Sequence, residues 1–207
     1  MRGAGTTVAA DAAEGAQTPD AADADGTAAA TPAELRGCFG MFATGITVLT
    51  AGGESPCGMT ANSFTSVSLD PALVLVCVQH DAVMHKAILS EEKFAISVLA
   101  AHQEAVARRF ADRTRPRGRR EFEGVRWRPG ALTGAPLVAD TLAWIECGLA
   151  AVHDGGDHSI FVGSVLDTGR AEAGDALLFF RGKYHRLEPQ SHDRDGAATR
   201  GGAGDSA

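Results

Sequence analysis

The chain has 207 residues, 44% of them hydrophobic, and its 19 Lys and Arg against 26 Asp and Glu give a formal net charge of −7. This negative charge argues against a general polyanion-binding protein, and no apolar run is long enough to cross a lipid bilayer. The first 30 residues lack the basic and compact apolar segments of a signal peptide, so we expect a cytoplasmic protein.

The two ends of the chain differ in composition from its middle. Residues 1–30 carry five acidic side chains and one arginine among Ala, Gly and Thr, and residues 189–207 are polar and rich in Gly. Neither end has the apolar area that would offset the entropy cost of ordering it. We therefore expect disordered tails at 1–30 and 189–207 and one folded, nearly neutral domain at 31–188.

The folded domain opens with a pattern typical of a helix N-terminus. Thr31 is a good N-cap, Pro32 fits the first helical position, and Glu34 is the partner that a capping box requires. The apolar face of this helix would carry Leu35, Cys38, Phe39 and Phe42.

Strands and short helices follow in an order that favours an antiparallel sheet. The segments that read as strands are 46–50, 58–68, 73–78, 94–99, 142–152, 159–167 and 177–180. Two short helices are predicted, one at 81–90 capped by Asp81, with Met84 and Ile88 paired one turn apart, and one at 102–110. Most strands follow one another without a helix long enough for a parallel crossover. The predicted fold is therefore mainly β, an antiparallel barrel with helical insertions.

The four cysteines are expected to be reduced and buried. Cys38, Cys57, Cys77 and Cys147 are 19, 20 and 70 residues apart, which excludes the C-x-x-C spacing of zinc and thiol-redox sites. Because cytosolic thiols stay reduced, we interpret all four as small apolar core residues.

The segment 58–68 carries more polar side chains than a half-buried strand needs. Hydroxyl and amide groups fall on both of its faces, at Thr60, Asn62, Ser63, Thr65, Ser66 and Ser68. A flat polar ligand would use these groups, whereas an edge strand would expose them to solvent. Composition does not separate the two interpretations.

The chain resembles the short-chain flavin reductases that serve two-component flavin-dependent monooxygenases. The resemblance rests on five segments in the family order: GITVLTAG, CGMTANSFTSVSLDPALVLVCV, EEKFAISVLAAHQEAVARRFA, GDHSIFVGSVLD and LLFFRGKYHRL. It covers residues 35–187, nearly the whole folded domain. It implies a split β-barrel that forms a homodimer.

The resemblance also implies where a flavin binds. In the family, the strand matching 60–63 lies along the flavin ring, the stretch matching 66–68 turns beneath it, and the loop near 81 meets its ribityl and phosphate part. The contacts implied are Thr60, Ala61, Asn62, Ser63, Ser66, Val67, Ser68, Cys77, Val78, Gln79, Asp81, Ala82, His85, Lys86 and Phe110. The family often has Ser or Thr in that loop, and a carboxylate at Asp81 would not face a phosphate directly.

The nicotinamide dinucleotide is expected near His158. This residue stands in Gly156-Asp157-His158, where the family places a histidine close to the nicotinamide, and Tyr184 is a weaker candidate. The alternative is a loop histidine that only bonds a neighbouring carbonyl, as we expect for His153. No metal is expected, because the His and Asp residues of this loop lack the spacing of recurrent metal sites.

Nine arginines lie between residues 108 and 128, against three acidic residues. RNA binding is one interpretation, but interleaved aromatic residues are few and the N-terminal tail is acidic. A solvated loop is a second. The resemblance favours a third, in which one or two arginines close over the phosphates of the flavin or of NADH.

The function implied is an NAD(P)H:flavin oxidoreductase that reduces FAD or FMN with NADH or NADPH and needs no catalytic side chain. Hydride transfer between two stacked rings depends on positioning, because the two ring systems hold the electronic machinery. The implied partner is a separate monooxygenase, for example in natural-product biosynthesis, with no nucleic acid or membrane partner. The alternative is a flavin- or haem-binding split-barrel protein without turnover.

Overall fold

A computed structural model describes residues 30–187. The predicted tails at 1–30 and 189–207 lie outside the described residues, apart from Ala30. The α-helices are α1 (Pro32–Phe39), α2 (Val83–Glu91) and α3 (Glu104–Ala111), and two short 3-10 helices cover Ala101–Gln103 and Gly118–Phe122. Among residues 30–187, no helix combines the length and the apolar composition needed to cross a membrane.

The strands account for most of the regular structure. In chain order they are β1 (Thr44–Gly45), β2 (Thr47–Ala51), β3 (Cys57–Ala61), β4 (Thr65–Leu69), β5 (Ala72–Gln79), β6 (Lys93–Val98), β7 (Trp127–Pro129), β8 (Pro136–Val138), β9 (Ala143–Gly155), β10 (His158–Arg170), β11 (Leu177–Phe180) and β12 (Lys183–Arg186).

Seven of these strands form the main sheet, in the order β3-β2-β6-β9-β10-β5-β4. Every neighbouring pair in it is antiparallel, so the prediction of a mainly antiparallel sheet is confirmed. Strands β1, β11 and β12 form a second sheet, and β7 pairs with β8 in a hairpin. Strands β9 and β10 are 13 residues long and are joined by a tight turn, so they form the central ladder of the main sheet.

Apolar clusters cover both faces of β2, which is buried along its whole length. Leu49 points into a cluster that includes Met84 and Ile88 of α2, so the predicted pairing of these two helical residues is confirmed. Val48 points the other way, into a cluster that includes Phe110 of α3. Because successive side chains of a strand face opposite sides, the two helices pack on opposite faces of the sheet around β2.

Helix α1 begins as predicted, but its apolar face packs on nothing within the described chain. Thr31 caps the helix, and its backbone N–H donates to the Glu34 carboxylate at 2.8 Å, which completes the capping box. None of the helix residues is buried, and the following Phe42 is 77% exposed. The prediction that all four cysteines are buried is wrong for Cys38 of this helix, which is exposed, and Cys77 is only half-buried.

Two other elements differ from the predictions. The expected strand 58–68 is divided into β3 and β4 by a bend at residues 62–64, so its polar residues belong to two different places in the sheet. Helix α2 begins at Val83 with Ala82 as its N-cap, and no side chain caps it. Asp81 is therefore free to contact another element.

Candidate active site

A cavity of about 430 Å³ opens beside β3. One wall is the end of β5 with the start of α2, and the opposite wall is the end of α3 with the arginine-rich loop that follows it. His158, the first residue of β10, completes the lining. Several elements far apart in sequence therefore meet at one concave surface, which is the usual form of a small-molecule site.

Ten of the predicted site residues line this cavity. They are Thr60, Ala61, Asn62, Ser63, Cys77, Gln79, Asp81, Ala82, Phe110 and His158. The structure does not bring seven others to it: Ser66, Val67, Ser68, Val78, His85, Lys86 and Tyr184. The first three lie on the edge strand β4, and Val78 is fully buried in the core.

The hydroxyl groups of β3 and the bend after it serve the scaffold. Oγ1 of Thr60 donates to the carbonyl of Ala107 in α3 at 2.7 Å. Oγ of Ser63 accepts a hydrogen bond from the N–H of Cys77 and donates to the carbonyl of the same residue, both at 3.0 Å. These contacts fix the cavity wall against α3 and β5. Among residues 60–63, the side chain that faces solvent is the amide of Asn62, which is exposed.

A buried ion pair brackets the backbone of Gly58 at the cavity floor. The Gly58 N–H donates to Oε2 of Glu121 at 3.0 Å, and the Arg115 guanidinium donates to the Gly58 carbonyl and to the same carboxylate oxygen. The Arg115 side chain is 8% exposed and that of Glu121 is fully buried. Because both charges are paired and bonded to one peptide group, they hold β3 rigidly.

Gly58 also sets how closely α3 approaches β3. A Cβ added at this residue would lie 2.5 Å from Cε1 of Phe110. The phenyl ring therefore rests directly on the glycine backbone, under the Arg115 guanidinium at 5.6 Å from the ring centroid. This packing places the buried Phe110 in the cavity floor.

The two cavity cysteines are poor nucleophiles. Burial raises the pKa of the Cys57 thiol to about 11, and the nearby Glu121 carboxylate adds to the shift. Burial also raises the pKa of the Cys77 thiol. Both side chains stay neutral thiols near pH 7, so the cavity offers no thiolate for covalent chemistry.

The rim of the cavity is cationic. Nη2 of Arg113 donates to Oε1 of Gln79 at 2.7 Å, and its Nη1 lies 3.8 Å from Oδ2 of Asp81. Arg117 lies beside it and donates to the Arg113 carbonyl at 3.3 Å. The N-terminus of α2, without a side-chain cap, lines the same rim. Exposed guanidinium groups next to free helix N–H groups are a suitable environment for a phosphate.

His158 lies beside the cationic rim, next to Gln79 in the β5–β10 ladder. Its Nδ1 is 2.6 Å from Oδ1 of Asp157, and its side chain is 40% exposed. The hydrogen bond from His158, followed by the charge of that histidine, lowers the pKa of Asp157. With Nδ1 held by the carboxylate, Nε2 of His158 remains for a ligand.

His85 and Tyr184 lie away from the cavity. Nε2 of His85 is 2.8 Å from the hydroxyl of Ser159, and its ring packs edge-on against Phe161. Burial is the main cause that lowers the pKa of His85. Tyr184 packs against the apolar cluster that includes Val48 and Phe110, and the Arg108 guanidinium lies 4.9 Å from its ring centroid.

The sequence reasoning missed several lining residues. Gly58, Met59, Val83, Met84, Ala111 and the neighbouring Cys57 line the cavity without having been predicted. The arginine-rich stretch was singled out, and the structure assigns Arg113, Arg115 and Arg117 to the cavity. The sequence carried a signal only for Gly58, since a glycine within a strand often marks a close approach of another group.

The residues present fit a flavin. The cavity combines a rigid floor of glycine backbone and phenyl ring, an exposed amide, and arginines at the rim. A flavin has a flat ring that matches the floor, a polar ring edge that matches the amide, and a phosphate at the end of a flexible chain that matches the arginines. Within residues 30–187, no group of three or more His, Cys, Asp or Glu side chains is arranged to hold a metal ion.

Comparisons with known proteins agree with this geometry. The family model for the flavin reductase like domain matches residues 39–188. The NADH-dependent FAD reductase of Streptomyces globisporus is 49% identical over 160 residues, which cover 77% of this chain and 88% of the relative.

Solved structures are similar over the same region. The NADH:FAD oxidoreductase of Streptomyces globisporus, in complex with NAD and FAD fragments, superposes with a TM-score of 0.73 at 48% identity, over 77% of this chain and 94% of that one. The flavin reductase component of a bacterial two-component tryptophan halogenase gives a TM-score of 0.73 at 53% identity, over 76% and 98% of the two chains. The predicted flavin reductase split-barrel fold is confirmed.

Proposed function

The chain belongs to the family of flavin reductase like domains, and from this membership we propose that it is an NAD(P)H:flavin oxidoreductase that reduces FAD or FMN. The observation that carries the proposal is the cavity beside β3, where a rigid floor, an exposed amide and a cationic rim meet. The names of the relatives that reduce FAD with NADH support FAD and NADH as substrates.

The protein contributes binding and orientation. Bound flavin and dinucleotide supply the hydride chemistry between them. The floor formed by Gly58 and Phe110 gives a flat ring a fixed surface, and the buried Arg115–Glu121 pair keeps that surface from shifting. The backbone of residues 60–63 and the Asn62 amide would hydrogen-bond the polar edge of a bound flavin ring and stabilise negative charge there.

The dinucleotide is proposed to bind at the His158 end of the cavity. His158 stands at its edge with Nδ1 held by Asp157, so its imidazole has a fixed orientation. Nε2 would then hold the amide of a bound nicotinamide and orient its ring for hydride transfer to the flavin. Both cavity thiols stay neutral near pH 7, so the proposed reaction has no covalent step through cysteine.

The proposed partner of the reaction is a separate monooxygenase or halogenase that takes up the reduced flavin. A solved relative at 53% identity is the reductase component of a two-component halogenase, which supports this assignment. A reaction that consumes reduced nicotinamide dinucleotide is expected in the cytoplasm, where that reductant is available.

The proposed active unit is a homodimer of domains that span residues 31–188. The exposed apolar face formed by Leu35 and Phe39 of α1 with the neighbouring Phe42 supports the dimer, because a surface of this kind is usually covered. Residues 1–30 and 189–207 are proposed to be tails outside the catalytic domain.

The test is NADH oxidation by the purified protein with FAD, FMN or riboflavin added, followed by the absorbance of the reduced nicotinamide. Turnover that depends on added flavin is expected. A protein that keeps a bound flavin or haem and does not consume NADH would instead support the alternative of a non-catalytic split-barrel protein. Repeating the assay with NADPH decides between the two dinucleotides.

A further inference from the structure

Arg113 joins the two walls of the cavity across its mouth. It lies on the loop after α3, and its guanidinium donates to Oε1 of Gln79, a residue 34 positions away that ends β5. The same guanidinium is 3.8 Å from the carboxylate of Asp81, just before α2. We call this arrangement the Arg113 latch.

The latch lies on the solvent side of the cavity. The side chains of Arg113 and Asp81 are 73% and 67% exposed, yet both residues line the cavity. A side chain in this position can leave its partners without disturbing the core. The partners are also weak, because one is a neutral amide and the other is an exposed carboxylate beyond direct hydrogen-bond distance.

A phosphate is a stronger partner for Arg113 than either of these. A guanidinium bonds two phosphate oxygens at once, and such charge-assisted bonds are about twice as strong as neutral ones. Arg117 and the uncapped start of α2 lie on the same rim and favour an anion there. Asp81 is the only acidic residue among the described residues that line the cavity, so it opposes the anion that the rim otherwise attracts.

We propose that Asp81 is a specificity-determining residue that holds Arg113 across the cavity mouth and thereby weakens the binding of phosphorylated flavins. When FMN or FAD binds, Arg113 leaves Asp81 and Gln79 and bonds the flavin phosphate instead. Riboflavin has the same ring and ribityl chain without the phosphate, so its affinity does not depend on the exchange. This inference rests on the proposed function of the cavity as a flavin site.

The experiment compares FMN with riboflavin in binding titrations followed by flavin fluorescence at low salt. Asp81→Asn should lower the Kd of FMN about two- to fivefold, the range expected for an exposed ion pair, and leave the Kd of riboflavin unchanged. Arg113→Ala should raise the Kd of FMN about tenfold and again spare riboflavin. FAD should follow FMN.

A matched control separates the latch from a general change in charge. Asp140→Asn also removes an exposed carboxylate that is paired with an arginine, Arg126, and it changes the net charge equally. Asp140 does not line the cavity, so its substitution should leave both dissociation constants unchanged.

The double variant tests whether Asp81 acts through Arg113. In the Arg113→Ala background, Asp81→Asn should improve FMN binding much less, since the residue it releases is absent and only the direct repulsion of the phosphate by Asp81 is removed. If the improvement persists in full, Asp81 acts by its charge alone and the latch is overturned. The latch is also overturned if Asp81→Asn weakens FMN binding or changes FMN and riboflavin equally.

The remaining measurements identify which ligand carries the phosphate that Arg113 binds. With riboflavin as the acceptor, Asp81→Asn should leave the KM for NADH unchanged; a fall in that KM without a change for FMN would assign Arg113 to the dinucleotide and overturn the inference. A wild-type protein that binds neither flavin and oxidises no NADH would overturn the proposed function as well. If the wild-type protein binds and reduces flavin normally and Asp81→Asn leaves the Kd of FMN unchanged, the latch alone is overturned.

Discussion

His158 combines exposure with a fixed orientation, because Asp157 holds its Nδ1 while the ring stays open to the cavity. His158→Ala should raise the KM for the dinucleotide about two- to tenfold, the cost of one hydrogen bond to a neutral group, with little change in kcat. Steady-state kinetics with saturating flavin measure this effect. The Kd of flavin should stay within a factor of a few.

A second histidine provides the control for this substitution. His153 is exposed on β9 and does not line the cavity, so His153→Ala should leave KM and the flavin Kd unchanged. If His158→Ala weakens flavin binding while the dinucleotide kinetics stay normal, the proposed division of the cavity between the two ligands is wrong.

Gly58 is a residue at which a single added methyl group should be costly. Its added Cβ would meet the Phe110 ring at 2.5 Å, so Gly58→Ala should lower the free energy of unfolding by about 1–3 kcal/mol, a common cost of overpacking. Urea unfolding measures the change. Gly37→Ala is the control, because an added Cβ there meets nothing within 4 Å, and in helix α1 it should be neutral or slightly stabilising.

For individual residues, the sequence predicted which of them line the cavity better than it predicted the roles of their side chains. Residues 60–63 line the cavity as the resemblance implied, but the hydroxyls of Thr60 and Ser63 bond Ala107 and Cys77. Those partners lie 47 and 14 residues away, so no local pattern indicates that the hydroxyls are already used. The same is true of the Arg113 latch, whose partners come from another wall.

The hairpin of β7 and β8 depends on one carboxylate of a neighbouring strand. Glu146 of β9 is fully buried and accepts hydrogen bonds from the N–H groups of Ala131, Leu132 and Thr133, at 2.8 to 3.1 Å, and from the Thr133 hydroxyl. Burial alone would raise the pKa of Glu146, but these hydrogen bonds outweigh it and lower the pKa.

Glu146→Gln should therefore destabilise the protein at neutral pH, by about 1–3 kcal/mol, because an NH₂ group would face N–H donors. A carboxylate with a lowered folded-state pKa stabilises the fold above its ordinary pKa of about 4.3, and this stabilisation is lost as the pH falls toward the folded-state value. The variant should lose this part of the acid dependence of unfolding. Glu172→Gln, which alters an exposed carboxylate, should change neither quantity.

Elements with strong local signals were predictable, and those set by distant contacts were not. The capping box at Thr31 and the apolar pairing in α2 predicted two helices, and both are present in the structure. Strands β7, β8 and β12 have three or four residues, too few for a period to emerge. The break between β3 and β4 follows from the contact of Ser63 with β5, which a pattern along one segment does not contain.

At the scale of the whole molecule, the described residues include large apolar side chains that are exposed to solvent. Phe42 is 77% exposed and Leu69, on the edge strand β4, is 95% exposed. We expect a dimer by light scattering at micromolar concentration, since exposed sheet edges and apolar patches favour self-association. Phe42→Glu should shift the mass toward a monomer, whereas Leu132→Glu, on the β7–β8 turn, should leave it unchanged. A monomeric wild-type protein would contradict the expectation.

Deletion of residues 1–30 should leave activity and the melting temperature nearly unchanged. This segment has almost no apolar area to bury, so it contributes little to the stability of the domain. Flavin-dependent NADH oxidation and thermal unfolding of the truncated and full-length chains measure the two quantities. A fall of several degrees on truncation would show that the segment packs on the domain.

The ion pair that brackets Gly58 also occupies backbone groups at one edge of the main sheet. Strand β3 is one edge of the main sheet, and an unpaired edge is a template for a strand from another chain. The N–H and C=O of Gly58, the second of the five residues of β3, are already bonded to Glu121 and Arg115, so an intruding strand would have to displace these contacts. The arginine-rich loop after α3, which lines the cavity, should therefore also hinder the pairing of another chain with this edge.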